Sequence, residues 1–201
     1  MEAMNTEKVL CVPTQAVVEA VGKFNVPHDL AEGVIAHLED IASHVQRDNG
    51  DGTGCEFDES LQQLIPYIVV WDTEFNVLCY QRKGGGEKRL DAKLSIGFGG
   101  HVNDGDRDFT SGVYRELNEE VDGSESIHPL PLIGPIGFIR DTESPVGRVH
   151  TGVLYTSSPW DDNLYAKPRE AEVWSWIDAR ILIGHPRLER WSQIALEMLG
   201  F

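Results

Sequence analysis

The stretch from Gly99 to Gly123, GGHVNDGDRDFTSGVYRELNEEVDG, constrains this chain more than any other. A glycine-rich turn runs into a short acidic loop, and the loop into a segment with helical periodicity. Val113, Leu117 and Val121 recur every fourth residue and supply an apolar stripe. Glu116, Glu119 and Glu120 fall on one face beside Arg115, because positions i, i+3 and i+4 are helix neighbours. Like charges at that spacing destabilise a bare helix. A helix that carries three of them is expected to bind something positive, and a hard divalent cation with oxygen ligands is the economical choice. Thr110 or Ser111 is placed to cap the start. Gly123 is placed to take the left-handed conformation after the end.

The 201 residues fit one domain, or one domain with an extension. A hydrophobic content of 41% is ample for a packed core. The formal charge of −16 argues against nucleic acid and anionic membranes as partners. It leaves room for a small anion held through a metal and a local basic cluster. Cys11, Cys55 and Cys79 are odd in number, widely spaced and form no CxxC pair. That speaks against a disulfide framework or a cysteine zinc site and for a reducing, cytoplasmic setting. The start, MEAMNTEKVL, lacks the basic and apolar regions of a leader. No apolar run reaches the about 18 residues of a membrane span.

Residues 1–60 read as an N-terminal α/β extension. Val9–Val12 makes a short strand that Pro13 ends, and Thr14 caps a helix to about Val21. Pro27–Gln46 spaces Leu30, Val34, Ile35, Leu38, Ile41 and Val45 as an amphipathic helix. The loop DNGDGTG, residues 48–54, has the glycines of a calcium loop. Its register puts Arg47 first and Asp58 twelfth, where an acid and a glutamate are needed. A plain turn is the reading.

From Leu61 the texture changes. Leu64–Trp71 reads as a buried strand, with Pro66 marking an edge or its start. Asp72–Glu74 turns, and Phe75–Gln81 returns as the second strand of a hairpin. Then RKGGGEKRLDAK gathers Arg82, Lys83, Lys88, Arg89 and Lys93, five of the seventeen basic residues. They are either a solvated loop or a cationic rim that attracts phosphates. Leu94–Val102 is a strand whose glycines suggest close backbone approach. Leu132–Arg140 and Val149–Ser157 are strands joined by a polar turn. A loop from Ser158 reaches about Arg169. Ala171–Trp176 is a short strand, Ile177–Ile183 holds a helical turn, and Leu188–Leu199 closes the chain as a helix. Strand alternation puts Trp174 and Trp176 on one face, to pack a core or to stack a base. His101 and His150 are expected to pack or to hydrogen-bond.

GGHVNDGD followed by Arg115-Glu116-Leu117-Asn118-Glu119-Glu120 resembles the signature of the Nudix (MutT-like) hydrolases. The flanking strands and the Trp-containing segment before the last helix fit as well, so the resemblance covers residues 61–201. QLIPY, RKGGGEKRL and DTESPVGRVHTG are similar to segments of bacterial MutT-type phosphoesterases. Three details depart from the signature. Asp106 stands where the family has glutamate, one extra residue precedes Arg115, and the closing glycine comes one position late.

The resemblance implies an α/β/α sandwich around a mixed sheet. It also implies hydrolysis of a nucleoside diphosphate linked to another group, X, with Mg²⁺ or Mn²⁺. By the same resemblance, Glu116 and Glu120 are principal metal ligands and Glu119 is a further ligand or the base. Arg115 orients one of the glutamates, and the Gly100 carbonyl completes the metal shell. Asp106 would hold a metal-bound water. Glu170 and Glu172 lie where some members place the base, and Glu172 is a candidate. The chemistry agrees, since attack on a diphosphate needs charge neutralisation and an aligned water. The expected partner is a small-molecule phosphoanhydride. Residues 1–60 would cover a sheet edge, shape the pocket or build a homodimer. One alternative is a Nudix-fold module that binds without hydrolysing, favoured by Asp106 and the extra residue. Another is an isomerase of the isopentenyl-diphosphate type, for which no cysteine stands near the site.

Overall fold

The computed structural model describes residues 7–22, 28–82, 93–122, 131–157 and 166–201. In chain order its elements are β1 (Lys8–Pro13), α1 (Thr14–Val21), α2 (His28–Ile41), β2 (Ser43–Gln46), β3 (Leu61–Val69), β4 (Asn76–Gln81), β5 (Leu94–Ser95) and β6 (Gly97–Phe98). Then follow α3 (Phe109–Glu120), β7 (Val121–Asp122), β8 (Leu132–Ile139), α4 (Pro145–Val149), β9 (His150–Ser157), β10 (Lys167–Pro168), β11 (Trp174–Asp178), α5 (Ala179–Leu182) and α6 (Arg190–Leu199).

The main sheet runs β2-β1-β3-β9-β8, and β6 also pairs with β3. It is mixed, because β3 and β9 are parallel while the other pairs are antiparallel. A strand's side chains alternate between faces, and β3 shows the result. Leu64 and Ile68 enter a core with Val17, Leu38, Phe109, Val113, Leu117 and Phe138. Tyr67 and Val69 enter the opposite core with Leu182, Ile194 and Leu196. Helices α1, α2 and α3 therefore cover one face, and α5 and α6 the other. This is the expected α/β/α sandwich around a mixed sheet. The N-terminal segment shares this frame, since β1 is hydrogen-bonded to β3 and α2 packs on β8.

Several elements differ from their sequence expectations. The second helix stops at Ile41, and Ser43–Gln46 form β2 instead. There Val45 packs with Val9, Cys11 and Cys55, and the strand covers the open edge of β1. Thr14 does not cap α1 with its side chain; its hydroxyl donates to the Glu59 carbonyl at 2.8 Å. Pro66 sits in a central strand rather than at an edge. It lies between residues 61–63, which pair with β1, and 68–69, which pair with β6. That interruption tolerates a residue without an N–H.

The hairpin after β3 keeps one bridge, Trp71 to Val77. Thereafter β4 leaves for a second sheet, β11-β4-β5. The strand expected over 94–102 breaks into β5 and β6, which belong to different sheets. A Cβ at Gly97 would lie 1.9 Å from the Tyr67 ring, so the glycine lets the two segments cross closely.

The cap of α3 is neither Thr110 nor Ser111. Asp108 accepts the Ser111 N–H at 2.7 Å, while the Ser111 hydroxyl accepts the Asp108 N–H at 3.0 Å, which is a reciprocal capping box. The helix ends without a left-handed residue, because Val121 is extended and continues as β7. Gly123 lies outside the described residues. The turn at 141–148 contains part of α4, whose cap is Ser144.

Candidate active site

Phe109, Val113 and Leu117 are all about 1% exposed and fix α3 against the sheet. Each such burial contributes on the order of 1.5–3 kcal/mol, far above the few tenths that a like-charged pair costs on a helix. Packing can therefore hold the carboxylates together. Gly99 has φ +139°, and a Cβ there would lie 2.1 Å from the Pro66 carbonyl oxygen. Only glycine turns the chain at that point. At Gly100 a Cβ would lie 2.6 Å from Glu116 Oε2, so that carboxylate rests on the glycine backbone. The Gly99 N–H donates to Glu120 Oε2 at 3.4 Å. Glu116 and Glu120 thus meet one glycine turn.

Arg115 organises the rest of the helix face, and all five of its N–H groups are engaged. Nε donates to Asp106 Oδ1 and Nη2 to Asp106 Oδ2, both at 2.8 Å. Nη2 also donates to the His101 carbonyl at 2.7 Å. Nη1 donates to Glu116 Oε1 at 2.7 Å and to Glu119 Oε2 at 3.0 Å. Arg115 therefore orients Glu116, Glu119 and the glycine turn together. Asp106 differs from the expectation that it holds a water. Both its oxygens are taken by Arg115, and Oδ2 also accepts the Asn103 N–H at 2.8 Å. Glu119 points outward, with its side chain 60% exposed.

Electrostatics separate these acids. The hydrogen bonds from Arg115 hold Asp106 below the usual carboxylate range. Burial raises Glu116, with Arg115 opposing the rise. Burial pushes Glu120 up to about 7; the Gly99 N–H lowers it, and the charges of Glu116 and Glu170 add to the rise. Two partly desolvated carboxylates share one turn, and burial raises both despite Arg115 beside Glu116 and Arg82 near Glu120. Their donors are all oxygen, which fits a hard divalent cation. Gly100 offers a nearby carbonyl of the same kind.

A cleft of about 170 Å³ opens beside Glu120, lined by Tyr80, Arg82, Phe98, Pro168 and Glu170 among others. Tyr80 and Phe98 stack at 5.0 Å between centroids and make its aromatic wall. The pairing of β7 with β10 lays residues 167–168 beside the end of α3, and the Arg169 N–H donates to the Glu120 carbonyl at 2.9 Å. This brings Glu170 to the cleft, whereas Glu172 is exposed and does not line it. Arg82 lines the cleft, and its Nη1 pairs with the buried Glu189 at 3.3 Å. Lys93 is half-buried, and its carbonyl accepts the Arg82 N–H at 2.9 Å. Lys83, Lys88 and Arg89 lie outside the described residues. All three cysteines are buried and none lines the cleft. Trp176 packs against the core, Trp174 is 39% exposed, and neither lines the cleft. The sequence reading missed Tyr80 and Phe98, because the sheet switch of β4 that aligns them leaves no local pattern.

The NUDIX domain family model matches residues 62–198. The chain belongs to the Nudix family. Protein YmaB of Bacillus subtilis (strain 168) is 34% identical over 177 residues, which cover 83% of this chain and 82% of YmaB. The crystal structure of the Nudix-family protein Tm1382 superposes with a TM-score of 0.71 at 28% identity, over 96% of this chain and 98% of that one. This Nudix chain is accordingly a hydrolase of phosphoanhydride-type substrates, in a family that generally uses divalent metal ions. No helix among the described residues is long and apolar enough to cross a membrane.

Proposed function

We propose that this Nudix protein is an Mg²⁺- or Mn²⁺-dependent pyrophosphohydrolase. Its substrate would be a nucleoside diphosphate linked to a group X. One observation carries the reading: Glu120 lines the cleft while Glu116 rests on the same glycine turn, so cation end and substrate cavity coincide.

In this reading Glu116, Glu120 and the Gly100 carbonyl hold the metal, and Glu119 adds a ligand or takes the proton of the attacking water. Glu170 is a second candidate base, since it lines the cleft beside Glu120. Glu172, expected as a base from its place before the Trp174 strand, would have to reach in from outside the lining. A bound metal supplies charge neutralisation on the diphosphate and acidifies a water. Arg115 fixes the direction of Glu116 through a charge-assisted bond. The Tyr80–Phe98 wall suits the apolar face of a base or of X. Arg82, Lys83, Lys88, Arg89 and Lys93 would attract the substrate's phosphates; of these, Arg82 lines the cleft. Residues 1–60 extend the hydrolase unit of residues 61–201, and a cytoplasmic setting fits the free thiols.

The test is a panel of dinucleoside polyphosphates, nucleotide sugars and nucleoside triphosphates, each with Mg²⁺ and with Mn²⁺. Release of phosphate or nucleoside monophosphate from at least one class, abolished by a chelator, is expected. No release from any class would overturn the reading of a nucleoside diphosphate linked to X as the substrate.

A further inference from the structure

Glu56 lies in the loop between β2 and β3, His101 follows the glycine turn, and His150 opens β9. One ligand-type atom from each lies within 4.8 Å of the other two. Among the described residues, no other group of three His, Cys, Asp or Glu side chains comes together in this way.

Polar groups surround this cluster, and some of them are unsatisfied. His150 Nδ1 lies 2.8 Å from the Val146 carbonyl oxygen. Its other ring nitrogen, Nε2, lies 4.0 Å from Glu56 Oε2. His101 Nε2 is buried without a hydrogen-bond partner, and so is Gln63 Oε1. The amide of that same Gln63 donates to Glu56 Oε2 at 3.5 Å. Unsatisfied buried polar atoms are costly, and two of them belong to side chains gathered around one carboxylate. His101 Nδ1 faces Glu7 Oε1 at 3.8 Å. His150 thus has an outer oxygen bonded at Nδ1, the arrangement that orients metal-bound histidines, while the Glu7 carboxylate lies beyond hydrogen-bond reach of His101. Arg47 binds both Glu7 and Glu56, at 3.0 and 3.2 Å. Glu7 and Glu56 thus share one guanidinium beside the two imidazoles.

We propose that Glu56 Oε2, His101 Nε2 and His150 Nε2 form a second metal site, for Zn²⁺ or a cation of similar preference. Two imidazoles and a carboxylate suit zinc and suit Mg²⁺ poorly. Bonds of about 2.0–2.2 Å require the ligands to close in by roughly an ångström. A water, or Gln63 Oε1 once its amide is flipped, takes the fourth position. The site uses no cysteine, so the cysteine spacing gives no hint of it. It ties together three segments far apart in sequence. It also braces the turn on which Glu116 and Glu120 rest, because the His101 carbonyl accepts from Arg115. The assignment does not depend on the proposed hydrolytic reaction.

Full-length protein stripped with a chelator and titrated with Zn²⁺ in excess Mg²⁺ tests it, with bound metal and thermal midpoint as readouts. One Zn²⁺ per chain and a raised midpoint are expected. Glu120→Gln should leave the zinc stoichiometry and the zinc-induced rise in midpoint unchanged, while Glu56→Gln and His101→Gln should weaken zinc binding at least about tenfold. Co²⁺ in wild-type protein should give the intense visible bands of a low-coordinate site. Glu56 is only partly buried, so its glutamine variant should fold, and the metal-free midpoint checks this. If Glu56→Gln is unfolded, wild-type stoichiometry and the Co²⁺ spectrum decide. No zinc bound, zinc lost only in Glu120→Gln, or zinc held undiminished by both ligand variants would overturn the proposal.

Discussion

Asp106 and Arg115 form a two-pronged ion pair, with Oδ1 to Nε and Oδ2 to Nη2 both at 2.8 Å. The remaining guanidinium donors reach the His101 carbonyl, Glu116 and Glu119. Asp106 is therefore the fixed point from which Arg115 aims the acids of α3. The shorter aspartate in place of the family's glutamate does not break this bracket.

Asp106→Asn should destabilise the protein by about 2–3 kcal/mol at neutral pH, the scale of a charge-assisted hydrogen-bond set left half made. The Asp106 side chain is only 7% exposed, so water cannot fully replace the pair. Arg115 holds the Asp106 carboxyl low, so the folded state stays deprotonated where the unfolded chain takes up a proton. The contribution is then complete above the unfolded value of about 3.9 and is lost as pH falls through the native value. Chemical denaturation should show a constant gap between wild type and variant from about pH 5 to 8 and a shrinking gap below about pH 4. A gap that widens toward acid would contradict the pairing.

Gly100→Ala should separate activity from stability. Its Cβ would lie 2.6 Å from Glu116 Oε2, the mobile end of a side chain, so the carboxylate moves rather than the backbone. Misplacing a catalytic group by about 1 Å can cost about 10²-fold. A loss in kcat of at least about tenfold is expected, with a melting temperature near wild type. Steady-state kinetics with unchanged kcat would show that Glu116 does not need the glycine.

Arg82→Gln should act mainly on stability. Glu189 is 5% exposed in its side chain and keeps the bond from Ser95 at 2.6 Å, but loses its ion-pair partner. A loss of about 1–3 kcal/mol in urea unfolding is expected, below the full cost of an uncompensated buried charge.

Neutralising Lys88 and Arg89 together should raise KM more than it lowers kcat, because a cationic rim acts through binding. The reverse split would put those charges on the transition state.

Much of the fold was readable because its determinants are local or periodic. Val113, Leu117 and Val121 announced α3, and the continuous apolar run around Ile68–Val70 announced β3. Residues whose roles depend on distant backbone were not readable. Val45 continues the helical spacing of its segment, yet the open edge of β1 draws it into β2. Pro66 signals an edge locally, but it occupies a gap between β1 and β6 that only the assembled sheet creates. At the site, the spacing of Glu116, Glu119 and Glu120 put three acids on one helix face. Only the turn at Gly99–Gly100 and the reach of Arg115 separate the inward pair from the exposed Glu119. Of Glu170 and Glu172 the sequence points to Glu172, whereas the β7–β10 pairing brings Glu170 to the cleft.

The central claim is that Glu120 serves a metal-assisted hydrolysis in the cleft it lines. The most direct measurement is kcat of Glu120→Gln on the best panel substrate with saturating Mg²⁺ or Mn²⁺, beside its melting temperature. A folded variant with kcat reduced by at least ~10²-fold is predicted, the scale of losing an essential metal or base function. A folded variant with wild-type turnover would contradict the claim.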